Sequence, residues 1–116
     1  MNWSIVYFRR ASGRSPIVEF IEHLNLDEQV DVLVGIDMLR SHGTSLGRPW
    51  VAPLAKGIWE LRIRTKRQIR ILYFLQTGGA FVLLHALVKK TRNVPQPEIQ
   101  IAVRRMKEHL AGVSNG

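Results

Sequence analysis

At 116 residues, with 46% hydrophobic and 22% charged side chains and a formal net charge of +8, the chain has the size and composition of one globular domain, 1–116. The absence of cysteine excludes disulfides and thiolate chemistry and fits a reducing, cytoplasmic setting. No apolar run approaches the roughly 20 residues of a spanning helix, so no membrane association is expected, and "MNWSIVYFRR" carries its arginines after the apolar stretch, the reverse of a secretory leader.

In chain order, Asn2–Phe8 is rich in β-formers and alternates Trp3, Ile5 and Tyr7 with Ser4, Val6 and Phe8, which predicts a first strand. Ser15 followed by Pro16 reads as a helix N-cap with proline in the first turn. The helix Pro16–Leu24 then lines up Ile17, Phe20, Ile21 and Leu24 on one face. A second helix starts at Asn25 or Asp27, draws its apolar side from Val30, Leu33, Val34, Ile36, Met38 and Leu39, and stops near Gly43. Gly35 inside it is unfavourable by about 1 kcal/mol against alanine, which predicts a close helix crossing there.

Gly43–Pro53 reads as a loop, and three strands follow at Ile58–Thr65, Gln68–Gln76 and Ala80–Lys89, the last two joined by a compact "TGG" turn. Pro97 opens a final helix to about Leu110, with Ile99, Ile101, Ala102, Met106 and Leu110 inward, and the tail 111–116 is expected to fray. The order β-α-α-β-β-β-α predicts an α+β domain: an antiparallel sheet with two amino-terminal helices and a carboxyl-terminal helix packed on it.

The basicity is local. Between Lys56 and Arg92 stand nine Lys and Arg against Glu60 alone, a net of +8, and the remainder of the chain is balanced with eight of each sign. Ser15–Gly47, by contrast, holds six acids and one arginine, a net of −5. A confined cationic footprint points to a polyanion, most often nucleic acid, and solubilising charge of mixed sign is the bland alternative. Alternation along Ile58–Thr65 puts Trp59, Leu61 and Ile63 on one face and Ile58, Glu60, Arg62 and Arg64 on the other. On the next strand Ile69, Ile71, Tyr73 and Leu75 oppose Arg70, Leu72, Phe74 and Gln76. With the apolar rows under the helices, Arg62, Arg64 and Arg70 are expected on the open face.

Metal-free cleavage of RNA asks for a base on the 2′-OH, donors for a dianionic transition state and an acid for the 5′-oxygen. Arginine supplies forked donors, and a lysine crowded by cations, or His85, is a candidate proton carrier. His85 on an apolar strand reads equally as a satisfied core histidine, and Lys89 and Lys90 as solvated strand-end charge. The histidines lack metal-ligand spacing and Glu60 is the window's single acid, so neither metal nor cofactor is expected. From these residues alone, binding and cleavage both stand.

The series "GIWELR", "RQIRILYF", "HALVKKT" and a proline-opened "PEIQIAVRRMKEHL" resembles the HigB-like, phage-associated branch of the RelE/ParE toxin superfamily over roughly Val51–Leu110. The resemblance implies the toxin of a type II toxin–antitoxin pair, a metal-independent mRNA endoribonuclease acting on the ribosome to inhibit translation. Its partners would be the ribosome, mRNA and a cognate antitoxin, usually a helix-turn-helix protein of the same operon. It places Arg62, Arg70, Lys89 and Lys90 at the positions that hold phosphate or stabilise the transition state; His85 is a further catalytic candidate by its own chemistry, not by the resemblance. Lys56, Arg64, Lys66, Arg67 and Arg92 are left as RNA- or ribosome-binding residues. The alternatives are a ParE-like protein inhibitor of DNA gyrase, which shares the fold without the basic set, and a non-catalytic nucleic-acid-binding module.

Overall fold

A computed structural model describes residues 3–115, with side chains through residue 112. Strand β1 spans Ser4–Tyr7, helix α1 Pro16–Glu22, helix α2 Leu26–His42, strands β2 Val51–Ala55, β3 Ile58–Ile63, β4 Ile69–Gln76 and β5 Ala80–Val88, and helix α3 Gln96–Asn115. The predicted α+β class and element order hold, with β2 added. Asn2, the predicted start of the first strand, and Gly116 of the tail lie outside the described residues.

The sheet runs β1-β5-β4-β3-β2, antiparallel throughout except for β1, which lies parallel to β5. Strand β2 hides in what reads as a loop because "VAPLA" has no alternation and contains a proline. That proline is tolerated because β2 is an edge strand and Pro53 sits beside a register shift. The β2–β3 hairpin closes on Lys56 and Gly57, both at positive φ (55° and 83°), a two-residue turn of the hand that matches strand twist.

Helices cover both faces. Ile17, Val32, Ile36 and Leu39 of α1 and α2 pack on Leu61, Ile63, Ile69, Ile71, Tyr73 and Leu83. On the other face Ile99 and Ala102 of α3, with Val94, pack on Ile58, Leu72, Phe74, Val82, Leu84 and Leu87. The expectation that the second face of β3 and β4 stands open is therefore corrected: α3 occupies its apolar part, and only the Arg62 and Arg70 end escapes coverage by apolar side chains. A register shift between Leu72 and Tyr73 leaves Leu84 extra on β5, so Leu84 and His85 follow one another on the α3 side.

The cap signals act as read. Ser15 Oγ accepts from the Val18 amide at 3.2 Å, and Asn25 Oδ1 accepts from the Glu28 amide at 2.9 Å while Glu28 Oε1 accepts from the Asn25 amide at 3.3 Å. The inward face of α2 is a correction. Val32, Ile36 and Leu39 are buried, whereas Val30, Leu33 and Val34, expected inside, stand about half exposed at 52–54%. The helix is apolar on two sides, so the sequence does not say which one meets the sheet.

Gly43 ends α2 at φ 56°, and the Trp3 indole fills the space a Cβ would take. Gly35 marks a close approach of helix to sheet, not of helix to helix: a Cβ there would come within 2.5 Å of Ile63 Cδ1. Gly35→Ala should therefore destabilise by about 1–2 kcal/mol despite alanine's better helix propensity, since overpacking outweighs it. A thermal melt checks this, and a rise in midpoint would mean that Ile63 yields freely. Among the described residues no helix is long and apolar enough to cross a membrane.

Candidate functional site

The adjacent ends of β3 and β4, with the loop between them, frame an open cleft of about 460 Å³ lined by Pro49, Arg62, Ile63, Arg64, Thr65, Gln68 and Arg70. Register creates it. Arg62 faces Arg70 across the ladder, so both side chains leave the same side of the sheet, and Glu60 lies two residues before Arg62 on that side. Two guanidinium groups directly opposite would repel. Glu60, only 6% exposed, separates them.

Arg70 is the buried member, 7% exposed, which corrects its expected place on an open surface. Its Nε–H donates to Glu60 Oε1 at 2.9 Å, one terminal nitrogen donates to the Ile69 carbonyl at 3.1 Å, and the other to Gln68 Oε1 at 3.2 Å. Burial lowers its pKa from the usual arginine value and Glu60 partly restores it, so the group stays a guanidinium. Arg62 is different. Its NH2 reaches Glu60 Oε2 at 3.5 Å, its side chain is 31% exposed, and its Nε is buried with no hydrogen-bond partner among the described residues. That atom is shielded from solvent, so an oxyanion entering the polar cleft would meet the exposed part of the Arg62 side chain instead. Arg64 completes the wall, its guanidinium 5.7 Å from the centre of the Trp50 ring.

The other cations scatter. Arg67 makes a bidentate pair with Glu28 at 2.7 and 3.0 Å, tying the β3–β4 loop to the first turn of α2. That bond holds Glu28 below, and Arg67 above, their ordinary pKa values. Lys66 is exposed on the same loop. Lys56 is in the hairpin turn at the far end of β3, roughly 20 Å from Arg62 at strand rise. Lys89 donates to the carbonyls of Thr91 and Arg92 at 3.2 and 2.9 Å, and its amide donates to the Gln68 carbonyl, which brings the end of β5 to the cleft's flank. Lys90 and Arg92 are exposed there.

His85 does not line the cleft. Its Nδ1 lies 3.2 Å from Arg105 NH1 and its Nε2 3.2 Å from Glu98 Oε2, both on α3. Arginine has only donors, so Nδ1 accepts and Nε2–H donates to the carboxylate. Burial lowers its pKa, Glu98 partly opposes this, and Arg105 and Arg104 reinforce it, so the ring is neutral at neutral pH. Arg105 also donates to the Leu84 carbonyl at 2.9 Å, so the trio pins α3 to the bulged part of β5.

Sequence reasoning missed the parts of Glu60, Gln68 and Trp50 in this site. The signal for Glu60 was present, since its spacing from Arg62 puts both on one strand face; Trp50 was legible only as an aromatic residue near the basic row, read as loop packing, and for Gln68 there was no signal. Among the described residues no three His, Cys, Asp or Glu side chains are grouped to share a metal ion.

A comparison with curated proteins gives no significant match. A protein-family model, Phage derived protein Gp49-like (DUF891), matches residues 19–107, which takes in the whole cleft and everything from the middle of α1 to the body of α3. By that match over most of its length, the chain belongs to the Gp49-like family of phage-derived proteins.

Proposed function

We propose that the chain inhibits translation by cutting mRNA on the ribosome, without metal, in the manner of a HigB-like toxin. The observation that carries this reading is the open cleft walled by Arg62, Arg64 and Arg70, in which Arg62 is partly exposed and Arg64 exposed. In-line attack of a 2′-oxygen, its proton passing to water, on the adjacent phosphorus builds a dianionic, five-coordinate phosphorane, and the bond to the 5′-oxygen breaks as that oxygen takes a proton from water. Negative charge grows on the non-bridging oxygens. Fixed guanidinium donors that meet those oxygens stabilise the transition state more than the ground state.

In this scheme Arg62 touches the scissile phosphate and Arg64 steadies the chain beside it, with Trp50 as its backing. Arg70 is a positioning residue that acts through Glu60. Lys89, Lys90 and Arg92, at the flank, take neighbouring phosphates, and Lys66 adds to the attraction from the loop tip. His85 serves to hold α3. The fold's partner in the cell is an antitoxin, as the resemblance implies, and the ribosome supplies the aligned mRNA.

Expression of the chain alone should arrest growth with protein synthesis failing first. Pulse labelling of protein, RNA and DNA over the first minutes checks this. Early loss of DNA synthesis with translation intact would overturn the reading in favour of gyrase inhibition.

A further inference from the structure

Helix α2 is apolar on the side turned away from the core. Leu26, Val30, Leu33 and Val34 are 74%, 52%, 53% and 54% exposed, at spacings that join them into one stripe along the helix. The acids Asp27 and Asp31 follow next around its circumference, both exposed. Beyond them lies a groove of about 230 Å³, with Asp31, Val34 and Met38 on its helix wall and Trp50, Arg62 and Arg64 on its sheet wall. The surface thus presents, in order, an aliphatic ridge, a negative rim, an apolar trough and a positive rim. Arg62, Ile63 and Arg64 belong to both this groove and the cationic cleft, so the two are continuous.

We propose that this surface docks the antitoxin, through an amphipathic segment that sets aliphatic anchors on α2 and in the groove, a lysine or arginine over Asp31 and a carboxylate over Arg62 and Arg64. The assignment rests on the toxin–antitoxin reading and adds a place and a charge pattern to it. Charge complementarity selects the occupant. A nucleic acid would meet Asp27 and Asp31 unfavourably. A second copy laid α2 against α2 would bring Asp27 and Asp31 of both chains together, a concentration of like charge. A protein segment of mixed sign satisfies both rims at once. Its carboxylate sits where an RNA phosphate would otherwise bind, so docking and inhibition are one event.

The test uses the full chain and the purified product of the adjacent reading frame, with affinity measured by calorimetry. Val34→Arg, at a position exposed enough to accept it, should weaken binding at least about 100-fold, the scale of losing a buried anchor. Asp31→Lys should weaken it roughly 10-fold, with the loss shrinking as salt is raised. Val34→Arg should cleave mRNA at the wild-type rate and escape suppression by the antitoxin in cells. The proposal is overturned if folded Val34→Arg binds as the wild type does, or if the wild-type chain binds no neighbouring product. It is equally overturned if sedimentation shows wild-type dimers that Val34→Arg dissociates. Failure of the wild type to cleave RNA would sink the nuclease reading and leave the binding arm to decide docking alone.

Discussion

Arg62→Ala should lower single-turnover cleavage of mRNA on programmed ribosomes by about 100- to 1,000-fold, the equivalent of roughly 3–4 kcal/mol of transition-state stabilisation. Its thermal midpoint should barely move. The two halves of this expectation come from the same geometry. Arg62 is the ladder-paired arginine that Glu60 holds only loosely, a partly exposed guanidinium whose one carboxylate contact is long, at 3.5 Å. Removing it leaves Glu60 still bound by Arg70 at 2.9 Å, so no buried charge is orphaned. Arg62→Lys keeps a positive charge and loses the fork, and should stay impaired by at least 10-fold. Arg64→Ala should act chiefly on binding and its salt dependence, because its guanidinium already rests against Trp50. Ribosome binding measured in parallel separates the two effects. A folded Arg62→Ala that cleaves at the wild-type rate would place the chemistry elsewhere.

Much of the fold was legible because local signals agree with tertiary demand. Ser15, Asn25, Gly43 and the Thr77–Gly79 turn each announce a boundary by a conformation or hydrogen bond that few residues supply, and the boundaries fall there. What was illegible depends on partners distant in sequence. Edge strand β2 has no periodicity of its own and exists by pairing Val51 with Leu61. Helix α2 offers two apolar sides, and only the position of Ile63 under Gly35 selects one. The site shows the same divide. Alternation correctly placed Arg62, Arg70 and Glu60 on one side of the sheet. It did not reveal that α3 would bury the rest of that side, that Glu60 would draw Arg70 inward, or that Arg67 would turn away to Glu28. A count of cations gives a surface its sign, but ion pairing decides which of them are free.

Arg70→Met should destabilise the fold by about 3–5 kcal/mol, because it leaves the Glu60 carboxylate buried against a distant Arg62 alone. At this chain length that corresponds to a fall in melting temperature of roughly 12–20 °C. The same variant would lose activity through unfolding, so loss of cleavage in it says nothing about catalysis. A second substitution resolves this. Glu60→Leu in the Arg70→Met background replaces the pair with apolar side chains of similar volume, and should recover stability to within about 1 kcal/mol of the wild type. Glu60→Leu alone should be costly too, since it strands the Arg70 guanidinium in a site where burial already depresses its pKa. The cycle of four proteins, melted at neutral pH in low and high salt, should give a coupling of a few kcal/mol that salt scarcely changes, as expected for a pair with both side chains 8% exposed. A cost below about 1 kcal/mol for Arg70→Met, or additive single effects, would mean that Glu60 finds water or Arg62 when Arg70 is gone. In that case Arg70 would have donors to offer a phosphate, and its place as a positioning residue would pass to direct contact with the RNA.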